Sequence, residues 1–225
     1  MRFFTYSRAA GALLGILVLG CSRPATVAEP APAPASAQQT DSAAVAKARA
    51  DSVRYPYTEA DVEFMSAMIG HHSQALLMAG WAPTHGAGSS VRTLAERIIN
   101  GQQDEIVTMQ RWLRDRRKPV PEYGRMDGSG TGHHQHASMP GMLTADQLRQ
   151  LDQARGSEFD RLFLTFMIQH HKGAVSMVQK LFATPGAARD ETVFKFANDV
   201  SVDQRTEVAR MERMLGGAAS KAGSH

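Results

Sequence analysis

The chain has 225 residues, a formal net charge of +3, and a composition that includes 12 Met and 9 His but only 1 Cys. This length fits one or two domains, and the N-terminal fifth lacks the hydrophobic pattern of a folded core, so the sequence predicts one compact domain. The positive charge does not indicate nucleic-acid binding, because much of it lies at a predicted helix end, where cations complement the helix dipole, in Arg114, Arg116, Arg117 and Lys118.

The N-terminus has the pattern of an export signal. Two arginines precede an apolar run at residues 9–19 that is too short to span a bilayer. Cys21 follows in the segment LVLGCS, which resembles a bacterial lipoprotein signal whose cysteine becomes the acylated first residue. A lone thiol here has no disulfide partner, although it also fits as a small apolar residue of the signal. With Ser22 next, the resemblance implies a signal at residues 1–21 and a periplasmic protein anchored to the outer membrane by lipidated Cys21.

The segment after the signal does not predict a core. Residues 22–40 are rich in Pro and Ala without a hydrophobic period, which is typical of an extended tether. A weak helix is expected at residues 41–53. Residues 22–56 therefore form a linker.

Helical patterns fill most of the remaining chain. The first long helix opens at Thr58, whose hydroxyl stands three residues before Asp61 as in a capping box, and runs to about Trp81. Because no segment shows sustained strand alternation, the fold class is all-α. The bundle is expected at residues 57–216 and a disordered tail at 217–225. The later helices are predicted at about 89–115, 144–155, 157–183 and 190–215, and Thr144, three residues before Gln147, is expected to cap the second of these.

The first long helix occurs twice. Residues 61–79, DVEFMSAMIGHHSQALLMA, match residues 160–178, DRLFLTFMIQHHKGAVSMV, without a gap at an offset of 99. The helices that follow also match, at an offset of 102. Two repeated helix hairpins joined by a long connection predict an antiparallel four-helix bundle with a minor helix in the cross-connection. The residues matched at 102 include Gln102, Glu105 and Met109, paired with Gln204, Glu207 and Met211.

Each copy of the repeated helix carries an adjacent His pair between methionines. At 100° per residue these positions divide into two neighbouring stripes. We expect one stripe to face the core and the other to lie at the margin, where an ion could enter and leave. In the first copy, one stripe consists of Asp61, Met65, Met68 and His72. The other consists of Phe64, His71, Ala75 and Met78.

Imidazole and thioether are ligands for borderline and soft metals, and thioether favours Cu(I). A methionine stripe is more often core than ligand, but a packed core does not require imidazoles in register in both copies. The candidate metal ligands on the helices are Met68, His71, His72, Met78, Met167, His170, His171 and Met177. The carboxylates of Asp61 and Asp160 are expected to support them by hydrogen bonds.

The connecting segment adds three imidazoles and two thioethers in ten residues. These candidate ligands are His133, His134, His136, Met139 and Met142. The segment is also consistent with a solvated Gly-rich loop whose histidines bind nothing. As a flexible loop, it could instead capture copper and pass it inward.

The repeated pattern Asp-x-x-Phe-x-x-x-Met-Ile-x-His-His-x-x-Ala-x-x-Met, with Met-Pro-Gly-Met before its second copy, resembles the bacterial domain-of-unknown-function family 305 over about residues 57–215. The resemblance implies a ferritin-like four-helix bundle that is usually exported. It also implies a relation to members that are periplasmic copper-binding proteins with Met and His ligands. The positions that carry over are the candidate helix ligands, Asp61, Asp160, Met139 and Met142.

Enzymatic functions fit the sequence less well. It lacks the Glu-x-x-His motif of di-iron bundles, the His-Glu-x-x-His motif of zinc proteases, a phosphate loop and a nucleophile elbow. Glu105 and Glu207 are expected to pair with arginines such as Arg97 or Arg205. The hypothesis is a non-enzymatic, lipid-anchored protein that binds Cu(I), or also Cu(II), for sequestration or delivery to copper-handling partners. The alternatives are a structural or stress-associated envelope bundle without metal, and zinc or nickel binding.

Overall fold

The structure is a computed structural model that describes residues 42–50, 56–121 and 139–222, with only the backbone described at 218–222. All regular elements in these residues are helices, which confirms the all-α prediction. None of these helices has the length and apolarity needed to cross a membrane. They are α1 at 42–50, α2 Glu59–Gly80, α3 Ser89–Asp115, α4 Ala145–Gln153, α5 Gly156–Ala183 and α6 Glu191–Ala222.

Two helices begin with the capping boxes that the sequence predicts. At α2, the Asp61 amide donates to the Thr58 hydroxyl, and the Thr58 amide donates to the Asp61 carboxylate at 2.7 Å. Thr144 and Gln147 form the same reciprocal pair at α4. Each box satisfies backbone groups that have no partner inside the helix, so these starts are fixed locally.

The last helix is longer than expected. The sequence places its end near Leu215, whereas α6 continues to Ala222, so residues 217–222 of the expected tail are helical. This stretch contains Gly216 and Gly217. A glycine in a helix interior costs only about 1 kcal/mol relative to alanine, so two of them do not have to end a long helix.

The four long helices pack as a bundle of two hairpins. α2 packs along α3, α5 packs along α6, and the hairpins meet through α2 and α5. The loops at 81–88 and 184–190 are short, so each hairpin is antiparallel. α2 and α5 are also antiparallel, because one apolar cluster joins Ala79 to Phe163 and the other joins Phe64 to Val178.

The repeated aspartates fasten the ends of the bundle. Asp61 accepts a hydrogen bond from the Ala188 amide at 2.7 Å, in the loop of the other hairpin. Asp160 accepts from the Gly88 amide at 3.1 Å, in the loop of the first hairpin. The expectation that these carboxylates support metal ligands is therefore not met: Asp61 lies ten residues before His71, about 15 Å along the helix. Asp61 and Asp160 therefore recur because each binds a backbone amide in the loop of the opposite hairpin.

Candidate metal centre

The four repeated histidines meet where α2 crosses α5. The rings of His71 and His170 have centroids 3.8 Å apart, and the rings of His72 and His171 lie 6.5 and 6.2 Å from those of their chain neighbours. All four residues have 0% exposure. The expected division into a core stripe and a marginal stripe is therefore wrong, because the hairpin partner and the opposing hairpin together cover both stripes. We call these four residues the histidine layer.

Backbone carbonyls fix the two central imidazoles. Nε2 of His71 donates to the carbonyl of Pro140 at 3.0 Å. Nε2 of His170 donates to the carbonyl of His71 at 2.9 Å. Because a carbonyl only accepts hydrogen bonds, each ring carries its proton on Nε2 and presents a lone pair at Nδ1.

Glutamates face the two outer imidazoles. Nε2 of His171 donates to the Glu207 carboxylate at 2.7 Å. Nε2 of His72 lies 2.7 Å from the Glu105 carboxylate, although the N–H does not point directly at the oxygen. These contacts replace the arginine pairing expected for both glutamates. The signal that could have revealed them is that the glutamates and the histidines both recur in the two halves.

The Nδ1 atoms of the histidine layer are buried and have no hydrogen-bond partner among the described residues. A buried polar atom without a partner costs about 1–3 kcal/mol, so four in one layer need a physical reason. A histidine that binds a metal usually donates its other ring N–H to a carbonyl or a carboxylate. All four imidazoles have such an oxygen beside Nε2, which leaves the lone pair of each Nδ1 without a partner among the described residues.

Burial keeps the central imidazoles neutral. Desolvation lowers the pKa of His71 to about 3, and His72 adds to the shift, against the opposing hydrogen bond to Pro140. Desolvation also lowers the pKa of His170 well below its ordinary value, with His71 as the next cause. Neutral imidazole is the form that binds metal ions, so these two rings are ready at neutral pH without losing a proton.

The same shift predicts that mild acid destabilises the metal-free protein. An unfolded histidine takes up a proton below about pH 6.5, whereas folded His71 does so only near pH 3. Stability is therefore fully present above pH 6.5 and falls as the pH drops towards 3. Between pH 7 and pH 5 we expect a loss of about 2 kcal/mol from His71 alone, with His170 adding in the same direction.

Urea unfolding at both pH values in the presence of a chelator measures this loss. A variant with His71→Gln and His170→Gln should show a much smaller difference between pH 7 and pH 5. Equal stability of the unsubstituted protein at the two pH values would contradict the prediction.

The candidate methionines of the helices lie in the apolar clusters on both sides of the histidine layer. Met68 and Met177 belong to one cluster, and Met78 and Met167 belong to the other. Met68 and Met167 are each one turn, four residues, before an outer histidine on the same helix face. The other two lie seven residues beyond a central histidine, about 10 Å along the helix. In the described residues no three His, Cys, Asp or Glu side chains converge on one point, so an ion in the layer needs a further ligand of another kind, such as a thioether.

The Met-Pro-Gly-Met segment crosses directly over the layer. Besides the bond from His71 to Pro140, the side-chain amide of Gln74 accepts from the amide of Leu143 at 2.8 Å and donates to its carbonyl at 3.1 Å. At Gly173 a Cβ would lie 2.0 Å from the Pro140 oxygen, so only glycine permits this approach. Gln74 and Gly173 hold the same position in the two copies, and both serve the crossing segment.

The structure places only part of the candidate loop ligands. Met139 is half-buried and packs against the cluster that contains Met68, and Met142 is half-buried. His133, His134 and His136 lie outside the described residues, as does Cys21. Their proposed roles stay predictions.

His85, in the first hairpin loop, has a structural role. Its Nδ1 lies 3.0 Å from the Thr84 hydroxyl, and its Nε2 donates to the Asp152 carbonyl at 2.9 Å. Both ring nitrogens are thus engaged. His85 is a buried histidine outside the layer and therefore a matched control for it.

Known proteins share this bundle. The family described as "Domain of unknown function (DUF305)" matches residues 61–215. The crystal structure of a DUF305 fragment from Deinococcus radiodurans is 31% identical, with a TM-score of 0.59, and the match covers 72% of this chain and 98% of that chain. A DUF305 protein of Streptomyces coelicolor, described as predicted to be secreted, is 24% identical, with a TM-score of 0.59 and coverage of 70% and 93%.

The third similar structure is that of CopM. Its Cu(II)-bound form is 28% identical, with a TM-score of 0.55 and coverage of 70% of this chain and 96% of that chain. Its Cu(I)-bound form is also 28% identical, with a TM-score of 0.53. A comparison with curated protein sequences gives no match.

Proposed function

Because the chain belongs to the DUF305 family, we propose that it binds copper in the histidine layer, with Cu(I) favoured and Cu(II) also accepted. One observation carries the proposal: four buried Nδ1 atoms have no partner, while an oxygen lies beside each Nε2. CopM, which has a similar structure, binds Cu(I) and Cu(II). The thioethers one turn away are soft donors suited to Cu(I).

The biological role that fits best is copper sequestration or delivery outside the cytoplasm. Buried ligands on packed helices would retain an ion, and Met139 and Met142, on either side of the Pro140 that bonds to His71, would exchange it with copper-handling proteins. We propose export and lipid attachment at Cys21 on the sequence alone, and membrane fractionation of a Cys21→Ser variant tests the anchor. The ferritin-like class is likewise proposed, supported by the two packed hairpins.

Removing the thioethers nearest the layer distinguishes copper from zinc or nickel. Met68→Leu combined with Met167→Leu conserves side-chain volume and should cost little stability. We expect Cu(I) affinity to fall by about tenfold or more and Zn(II) affinity to stay unchanged, because thioether sulfur favours the softer ion. Titration against a competing chelator, under anaerobic conditions for Cu(I), measures both affinities.

The matched control is Met78→Leu combined with Met177→Leu, the repeated pair that lies seven residues, about 10 Å along the helix axis, beyond the central histidines. We expect this second variant to bind Cu(I) more nearly like the unsubstituted protein. Equal losses for Cu(I) and Zn(II) in the first variant would favour the zinc or nickel alternative. The absence of any metal binding by the unsubstituted protein would favour the structural envelope bundle.

A further inference from the structure

A cleft of about 230 Å³ lies between α3 and α6, directly outside the histidine layer. Its walls include Glu105 from α3 and Glu207 from α6, which hold matched positions in the two halves. Their side chains are 19% and 21% exposed, whereas the side chains of His72 and His171, which they contact, are fully buried. The two carboxylates therefore lie between solvent and the imidazoles.

The cleft also contains polar groups with no partner. The side-chain amide of Gln102 is buried, and neither its oxygen nor its nitrogen has a hydrogen-bond partner in the described part of the chain. The oxygen of Gln204 is in the same state. Both residues line the cleft. Amide and carboxylate oxygens can solvate a cation but hold a soft ion only weakly, so these groups suit a polar path for an ion better than its final binding site.

The electrostatics of the cleft favour a cation. Asp203 also lines the cleft, and its pKa is raised by burial and then by Glu105 and Glu207, so these carboxylates lie within electrostatic reach of one another. Arg97 is the basic side chain among the lining residues, and three carboxylates outnumber it. A cleft lined by one sign of charge between low-dielectric walls raises the local concentration of the opposite ion.

We propose that this cleft is the route by which copper ions reach the histidine layer, and that Glu105 and Glu207 draw the ion from solvent to the edge of the layer. The inference rests on the proposed copper function and adds the route by which the site is filled. It assigns the glutamates two tasks: attracting the cation and orienting the outer imidazoles. The unpartnered amides of Gln102 and Gln204 supply oxygen donors along the same path.

Narrowing the cleft without touching a ligand tests this route. Gly101 lines the cleft, and a Cβ added there meets nothing within 4 Å, so Gly101→Leu fills open space. The control is Gly80→Leu, at the exposed end of α2, where a Cβ also meets nothing within 4 Å. Cu(I) is supplied anaerobically as a weak acetonitrile complex, and loading is followed by stopped flow.

For Gly101→Leu we expect loading to slow by about tenfold or more while equilibrium affinity stays within about twofold, and we expect Gly80→Leu to change neither. For Glu105→Gln combined with Glu207→Gln, we expect slower loading that has lost most of its salt dependence. Tight copper binding with unchanged loading in Gly101→Leu would overturn the route alone. Failure of the unsubstituted protein to bind Cu(I) would overturn the copper function itself.

Discussion

Replacing all four layer histidines by glutamine should weaken Cu(I) binding by at least about 100-fold and leave the bundle folded. A glutamine amide nitrogen reaches roughly as far as Nε2, so it can still donate to the oxygens that now face the imidazoles. Glutamine has no atom with a metal-binding lone pair at the position of Nδ1. Changing even the hydrogen-bond partner of a metal ligand commonly costs 10–100-fold in affinity, so removing the imidazole ligands themselves should cost more.

The control for this variant is His85→Gln, which changes another buried histidine, one whose ring nitrogens are both engaged. Its Cu(I) affinity should equal that of the unsubstituted protein. Circular dichroism and urea unfolding establish that both variants are folded before binding is compared. Unchanged Cu(I) affinity in the fourfold variant would contradict the proposal that the histidine layer binds copper. Any remaining copper binding would then be assigned to His133, His134 and His136 with Met139 and Met142, and serine at the three histidines would test that.

The repeat made most of the fold predictable. Hydrophobic periodicity and the signals at Thr58 and Thr144 locate the helices to within a few residues, because helix capping is a local property of the chain. The offset of 99 between the two histidine pairs predicts two equivalent helices. Only the end of α6 differs clearly, since glycine weakens a helix without having to end it.

The surroundings of the histidines were less predictable. Angular position on one helix gives two stripes, but whether a stripe is covered depends on how many neighbours the helix has. Here α2 has α3 on one side and α5 on another, so both His71 and His72 are buried. The acceptor of His71 is a backbone carbonyl 69 residues away, which no side-chain pattern can reveal.

The repeated acidic residues also show that the sequence repeat does not reveal which group a side chain contacts. Asp61 recurs with the histidines and looks like a supporting group, yet it binds a loop amide at the bundle end. Glu105 recurs as well and looks like an ordinary helix carboxylate, yet it contacts His72. Recurrence therefore identifies residues with a shared task, and only the packing of the helices shows which task it is.

Gly173→Ala should destabilise the protein by about 2–4 kcal/mol, although helix propensity alone predicts the opposite sign. In a helix interior alanine is favoured over glycine by about 1 kcal/mol. Here the added Cβ would lie 2.0 Å from the Pro140 oxygen, 2.5 Å from its carbonyl carbon and 2.6 Å from the Gly141 Cα. These are backbone atoms, so no side-chain rotation relieves the overlap, and the crossing segment has to move.

That movement breaks the bond from His71 to Pro140 and leaves a buried N–H without its acceptor, which adds to the cost of the overlap. Gly101→Ala is the matched control, because a Cβ there meets nothing within 4 Å and should stabilise the helix by up to about 1 kcal/mol. Urea unfolding of the two variants should therefore give changes of opposite sign. Equal or greater stability in Gly173→Ala would mean that the protein does not depend on the close contact between the Met-Pro-Gly-Met segment and Gly173 of α5. If the segment is needed, the same variant should also bind Cu(I) more weakly, because the carbonyl that fixes the proton of His71 on Nε2 has left its place.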